Sequence, residues 1–223
     1  MKILAINGSA RNNGNSAQLL HAAMEGAVAA LPEGTAETHF VGLYSLNFTG
    51  CRSCFACKRI GAKTYGTCAV RDGLTPLLQE ASEADVVLLG SPIYFGYISG
   101  MMHCFLERFI FPYYVYDDAR SSIAPKHMQV GCIYSMNLTE TAMEKLEYRK
   151  RIWLIENFMS RIIAPPESLY VNDTFQFPDY SKYVSPTFDP EKKRRRREEH
   201  FPIDLDNARA LGRKLALRAA GLE

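Results

Sequence analysis

The stretch from Ala84 to Gly90 carries Val86-Val87-Leu88-Leu89, a continuous apolar run with no polar alternation. A strand of that composition has no face to give to water, so it belongs in a parallel sheet covered by helices on both sides. The rest of the chain reads as the elements such a sheet needs. Lys2 to Asn7 is a short strand ended by Gly8, and a polar loop leads into a helix over Ala17 to Leu31, where Leu20, Ala23, Met24, Ala27 and Leu31 recur at helical spacing. Asn15 or Ser16 is placed to cap that helix, and Pro32 with Gly34 closes it. Glu37 to Leu43 reads as a second strand. Beyond the apolar run, Ser99 to Phe109 reads as a helix with Met101, Met102, Phe105, Leu106 and Phe109 on one face. A strand over Met128 to Tyr134 follows, then a helix capped by Thr139 or Thr141 and running to Met159. Glu167 to Asn172 reads as the last strand, before a C-terminal helix capped by Asp204 or Asp206 with Leu205, Ala208, Leu211, Leu215 and Ala219 as its buried stripe. Strands alternating with helices predict the α/β class, as a doubly wound, five-stranded parallel sheet of order 2-1-3-4-5.

With 223 residues, 47% of them apolar, the chain can bury a core of its own and is expected to form one domain over 1–223. Two stretches interrupt the alternation and are expected to be excursions, one near 111–125 and one near 173–202. The second holds Pro178, Pro186, Pro190 and Pro202 together with the run Lys192-Lys193-Arg194-Arg195-Arg196-Arg197, which Glu191, Glu198 and Glu199 flank. Flanked in this way, the run reads as a solvated surface. Lys plus Arg total 26 against 24 Asp plus Glu, so the net charge of +2 predicts no nucleic-acid or membrane partner. Ile3 to Ile6 is too short an apolar run for a signal-peptide core, and the expected location is the cytoplasm. Phe109-Ile110-Phe111-Pro112-Tyr113-Tyr114-Val115-Tyr116 is too apolar for a loop left in water, which predicts a homodimer or larger homo-oligomer.

A loop that leaves a first strand and enters a helix offers unpaired N–H groups and the positive end of the helix dipole to an anion. Here Ser9, Arg11, Asn13, Asn15 and Ser16 add donors, and Gly8 and Gly14 let the backbone turn. A phosphate group fits. Neither the Lys of a P-loop nor a Gly-x-Gly-x-x-Gly fingerprint is present, since Asn15 follows Gly14. At the carboxyl end of the third strand, Gly90-Ser91-Pro92-Ile93-Tyr94-Phe95-Gly96-Tyr97 lies where a doubly wound fold opens its ligand crevice, and its aromatics suit a flat ring.

These loops resemble those of the NAD(P)H-dependent FMN reductases and their iron-sulfur flavoprotein relatives, a flavodoxin-like family. Gly8-Ser9-Ala10-Arg11-Asn12-Asn13-Gly14-Asn15-Ser16 is similar to the family's phosphate loop, and Gly90 to Gly96 to its isoalloxazine loop. Glu107-Arg108 is similar to the acid and Arg pair that closes the helix after it. The resemblance implies FMN as cofactor, with Ser9, Arg11, Asn13, Gly14, Asn15 and Ser16 at the phosphate, and Pro92, Ile93, Tyr94, Phe95 and Gly96 at the ring. It further implies Ser135, Met136 and Asn137 on the pyrimidine side, with NAD(P)H as reductant. The acceptor would be a flavin, a quinone or a similar small molecule. An electron carrier that exchanges electrons with redox proteins is the alternative, and a flavin-free signalling domain on the same fold is a third reading. The bound flavin would do the chemistry itself. No catalytic acid or base is expected from His21, His39, His103, His127 and His200, which share no spacing with one another.

Closely spaced thiols in a reducing compartment read as metal binding or redox chemistry rather than disulfides. Cys51, Cys54 and Cys57 stand two residues apart, and Cys68 follows after ten more. With the family resemblance, these four are candidate ligands of a [4Fe-4S] cluster; zinc, or four free thiols, are the other readings. Lys58, Arg59, Lys63 and Arg71 are placed to offset cluster charge or to lower thiol pKa values. Only Asp72 stands where relatives often carry two acidic residues after the fourth cysteine. Cys104 and Cys132 read as small core residues.

Overall fold

The computed structural model describes residues 1–125 and 127–223. Five parallel strands, β1 (Lys2–Asn7), β2 (Glu37–Gly42), β3 (Val86–Tyr94), β5 (Gln129–Ser135) and β6 (Glu167–Val171), lie in the order β2-β1-β3-β5-β6. This is the expected 2-1-3-4-5 arrangement. A sixth strand, the two-residue β4 (Tyr97–Ile98), pairs antiparallel with the end of β3 and lies off the main path. The helices are α1 (Asn15–Ala29), α2 (Thr75–Glu83), α3 (Gly100–Ile110), α4 (Glu140–Lys145), α5 (Tyr148–Ile162), α6 (Pro190–Glu199) and α7 (Phe201–Ala219). None of the helices in the described residues is long and apolar enough to cross a membrane.

The pleat explains the apolar run. Val87 and Leu89 of β3, with Leu4 and Ile6 of β1, pack against Leu77 and Ala81 of α2, Met102, Phe105 and Phe109 of α3, and Ile152 and Met159 of α5. Val86 and Leu88, with Ile3 and Ala5, face the other way onto Leu19, Leu20, Ala23 and Ala27 of α1 and Ala208, Leu215 and Ala216 of α7. Side chains alternate across a strand, so a strand covered on both faces must be apolar at every position. On the second face α1 and α7 approach closely: a Cβ on Gly212 would lie 1.8 Å from the carbonyl oxygen of Ala23, and one on Gly26 would lie 2.0 Å from that of Arg209.

Five expectations need correction. The third strand runs on to Tyr94 rather than stopping at Gly90, and Phe95 and Gly96, with φ of 53° and 79°, turn it into β4 as a tight hairpin. The helix expected to run unbroken to Met159 is two helices, separated at Glu147, whose φ is 55°. Helix α2 had no counterpart in the sequence reading. The cap of α1 is Gly14, with no side-chain hydrogen bond, rather than Asn15 or Ser16. Finally, the C-terminal helix begins at Phe201, so Asp204 lies within its first turn, and the excursion before it holds the helix α6.

That last correction changes the reading of the basic run. Asp189 caps α6 by accepting from the N–H groups of Glu191 and Lys192 at 3.0 and 3.2 Å. Lys192 and Arg195 face solvent as expected, but Lys193 is only 5% exposed and its ammonium donates to Asp173 and Asn137. Arg196 pairs with Asp204 at 2.7 Å. With Arg197 also half-buried, half of the run is turned toward the molecule. The aromatic run from Phe109 to Tyr116 behaves in the same way, because Phe109, Ile110, Pro112 and Tyr113 are buried in their own core while Tyr116 is exposed.

Candidate functional site

Register places three loops side by side at the carboxyl edge of the sheet. Asn7 ends β1 opposite Gly42 and Gly90, and Pro92 stands opposite Ser135. Gly8 N–H donates to the Gly90 carbonyl at 2.8 Å, and Ser99 Oγ donates to the Gly8 carbonyl at 2.7 Å, which pins the first loop to the third. Gly8 has no room for a side chain, because a Cβ would meet Met102 Cβ and Ser99 Oγ at 2.9 Å each. Asn7 is fully buried and its Oδ1 accepts from Ser9 N–H at 3.0 Å, while Ser9 Oγ accepts from Arg11 N–H at 3.1 Å. These two side-chain turns fix the path of the loop toward α1.

The result is a cavity of about 160 Å³ lined by Ser9, Arg11, Gly14, Asn15, Ser16, Pro92, Ile93, Tyr94, Ser135, Met136 and Asn137. Most of the expected site residues are thus brought together. Ser16 and Ser135 join across it through their hydroxyls at 2.8 Å. Its floor is the start of α1, whose first turn carries no acidic residue and no side-chain cap, so the donors there suit an anion. Three expected residues stand apart from this lining. Asn13 is exposed, and its carbonyl accepts from Gln18 Nε2 at 2.8 Å. Phe95 is fully exposed at the tip of the β3-β4 hairpin, and Gly96 beside it faces Tyr148 and Arg151. Tyr94 is half exposed, at the rim.

Thr174 and Gln176 complete the lining and were missed by sequence reasoning. They follow β6, and the segment after β6 lies along the loop after β5: Met136 N–H donates to Val171, Thr174 N–H to Met136 and Asp173 N–H to Leu138. The available signal was the polar Asn172-Asp173-Thr174 at the end of a parallel strand, where the ligand crevice opens. This segment also holds the loop opposite. Arg11 Nη1 donates to the Gln176 carbonyl at 2.7 Å and Asn15 Nδ2 to that of Phe175 at 3.0 Å.

The cysteine loop lies between β2 and α2. Cys51, Cys54, Cys57 and Cys68 all line one small cavity of about 20 Å³, together with Glu107 and Arg108. Among the described residues no three His, Cys, Asp or Glu side chains converge as they would on a metal ion. Arg108 organises the wall. Its side chain has no exposure, and it donates to Cys68 Sγ at 3.4 Å, to the carbonyls of Thr49 and Val70 at 3.0 and 3.1 Å, and to both carboxylate oxygens of Asp72. Glu107 beside it accepts from Cys51 N–H at 2.9 Å. Burial raises the Cys57 thiol, and Lys58 lowers it through its charge, as expected, but by less. The Lys58 ammonium donates to the carbonyls of Phe111, Pro112 and Tyr114. Cys132 is a core thiol, which burial raises to about 12. Cys104 is half-buried beside Gly50, rather than in the core.

Two relatives are similar over the same share of the chain. An iron-sulfur flavoprotein of Methanocaldococcus jannaschii is 33% identical over 108 residues, covering 48% of this chain and 51% of that protein. An iron-sulfur flavoprotein of Archaeoglobus fulgidus is 32% identical over 108 residues, 48% of each. The chain spans about half the length of these relatives. Among solved structures, an NAD(P)H:quinone oxidoreductase from Methanothermobacter marburgensis superposes with a TM-score of 0.67 at 15% identity, covering 96% of both chains. An azoreductase from Bacillus anthracis gives 0.65 at 15% identity, covering 96% of this chain and 99% of the other. At such identities the likeness establishes the flavodoxin-like fold. The sequence model of the NADPH-dependent FMN reductases matches residues 1–162, and the chain belongs to that family.

Proposed function

We propose that this chain is an FMN-dependent oxidoreductase that takes electrons from NAD(P)H and passes them to a flavin, a quinone or a similar small acceptor. The observation that carries the reading is the meeting of an uncapped helix start, three serine hydroxyls and the half-exposed ring of Tyr94 in one cavity at the sheet's carboxyl edge. Ser9, Asn15 and Ser16 would hold the phosphate, with Arg11 adding charge. Pro92, Ile93 and Tyr94 would lie along the ring, and Ser135, Met136 and Asn137 beside its pyrimidine edge. Phe95 and Gly96 set the hairpin that carries Tyr94, and Asn13 shapes the loop through its backbone. When bound, FMN would supply hydride acceptance and the delivery of electrons singly or in pairs. The residues bind and orient it. The whole chain, 1–223, is taken as one unit in this reading, because Thr174 and Gln176 line the same cavity as Ser9. An absorption spectrum of the purified protein and NAD(P)H oxidation with added FMN or quinone test it; colourless protein that fails to bind added FMN would refute it.

A second reading, an electron carrier serving redox proteins, is favoured by one observation: four cysteines line a single cavity. Thiols so arranged fit the four-ligand count of a [4Fe-4S] cluster, although Cys51 and Cys54 are exposed and would have to draw inward. Iron and sulfide assays after anaerobic purification decide it, with about four of each per chain expected for a [4Fe-4S] cluster. Thiols kept for such chemistry suit a reducing compartment, so the proposed location is the cytoplasm. A homodimer is proposed on the exposed Trp153, Leu154 and Phe158 of α5, and light scattering that gives a monomer mass would exclude it.

A further inference from the structure

Every basic side chain of α6 that turns inward has an acidic partner except one. Lys193 pairs with Asp173, and Arg196 with Asp204. On the outer side Arg194 pairs with Glu191 and Glu198. Arg197 instead donates to two neutral oxygens, Asn15 Oδ1 at 3.0 Å and Gln18 Oε1 at 2.7 Å, and lies 3.7 Å over the ring of Phe201. Burial lowers its pKa, and no carboxylate acts on it in compensation. Withdrawing a cation from water without an opposite charge is costly, and natural structures retain such groups where an anion completes the pair.

Its two partners say which anion. Asn15 is the first residue of α1 and lines the cavity. Gln18, one turn on, donates to the carbonyl of Asn13 and so ties down the loop from the other side. Arg197 therefore grips the first turn of α1, into which the phosphate loop runs, at both of its ends. It is held for that task by the Asp189 cap and by the Lys193 and Arg196 ion pairs, which fix the part of α6 that leads into it.

We propose that Arg197 is a positioning residue of the phosphate loop, orienting the Asn15 amide and adding the positive charge that lets the site prefer a phosphorylated flavin over the same flavin without phosphate. The proposal rests on the flavin reading above. It assigns a ligand-selecting role to a residue outside the 1–162 family match.

The test is titration of FMN and of riboflavin into the purified chain, stripped of bound flavin, for wild type, Arg197→Gln, Arg197→Lys and Arg195→Gln. Arg195 lies on the exposed side of the same helix and removes the same charge. Arg197→Gln is expected to weaken FMN about tenfold, ~1.4 kcal/mol, with riboflavin unchanged. Arg197→Lys should recover part of the FMN affinity, and Arg195→Gln should leave the FMN to riboflavin ratio as in wild type. Equal weakening of both flavins would mean that Arg197 merely packs α6, and an unchanged ratio in Arg197→Gln would overturn the proposal outright. If the Gln variant does not fold, the Lys variant decides, because a purely structural role leaves its ratio at the wild-type value. Wild-type protein that binds neither flavin would instead refute the flavin reading and this proposal together.

Discussion

Arg108 is the largest side chain that the protein buries completely, and removing it offers a quantitative test of how the cysteine loop is held. All five of its N–H donors are used: one on Cys68 Sγ, two on the Thr49 and Val70 carbonyls, two on Asp72. Arg108→Met keeps the volume and deletes the charge, leaving the Asp72 carboxylate and two carbonyls without that partner. Breaking a buried ion pair from one side costs roughly 3–5 kcal/mol. Asp72 is 17% exposed, so water can relieve part of the loss and the low end, about 3 kcal/mol, is expected. In a chain of this length that lowers Tm by roughly 6–12 °C. Arg108→Lys keeps the charge but cannot span all the acceptors, and losing two backbone bonds at about 1 kcal/mol each predicts an intermediate cost near 2 kcal/mol. The pH dependence follows from Asp72. Burial pulls its pKa upward, but hydrogen bonds from Arg108 and from Leu74 N–H outweigh that and hold it below the usual carboxylate value. A depressed folded value means that the pair's contribution is complete above the unfolded pKa, about 3.9, and is lost as pH falls through the folded one. Denaturant unfolding of wild type and Arg108→Met should therefore show a gap that is full at neutral pH and narrows in acid below about pH 4. A gap under about 1 kcal/mol at neutral pH, or one that does not change in acid, would refute the argument.

Arg11→Ala should weaken FMN about tenfold, ~1.4 kcal/mol, in a fluorescence titration, at the low end for a charge-assisted contact because the guanidinium is exposed and already engaged by Gln176. An unchanged dissociation constant would show that Arg11 serves only the Gln176 segment. Gly212→Ala should destabilise the protein by about 2 kcal/mol in thermal unfolding, since a clash costing ~3 kcal/mol exceeds the ~1 kcal/mol that alanine gains in a helix. A more stable variant would mean that α1 and α7 are not in the close contact described.

Legibility in the sequence tracked burial. β1, β3 and β5 were readable because covered parallel strands are apolar at each position, and their order followed from alternation with helices. The loop from Gly8 to Ser16 was readable as a cavity-lining helix entry because a Gly, Ser and Asn-rich turn between strand and helix has a chemical meaning of its own. Helix α2 was missed because only Leu77 and Ala81 of its nine residues are buried, too few to show a period. The break at Glu147 was missed because a single left-handed residue leaves no trace in hydrophobic spacing. Helix α6 offers no apolar stripe at all. It is held by ion pairs to Asp173 and Asp204, residues whose proximity only the tertiary fold creates. Asn7 escaped for a related reason: its role is to bend the next two residues, and nothing in its type separates that from an ordinary strand end.

The division of labour along the chain follows from the parallel sheet. Strands that all run one way deliver their following loops to one edge, so β1, β3, β5 and β6 each contribute a segment to the same cavity although their sequence positions span most of the chain. The family match ends at Ile162, before β6, and covers the loop from Gly8 to Ser16, the Tyr94 hairpin and Ser135 to Asn137. What lies beyond it, from Asn172 to Arg197, packs on those loops through Arg11, Asn15 and Asn137. Under the proposed reading the first part of the chain therefore defines what class of cofactor is held, and the later part closes the cavity around it. Exchange of the 173–199 segment is then expected to change which flavin binds and how tightly while leaving the sheet, whose strands it does not supply, in place.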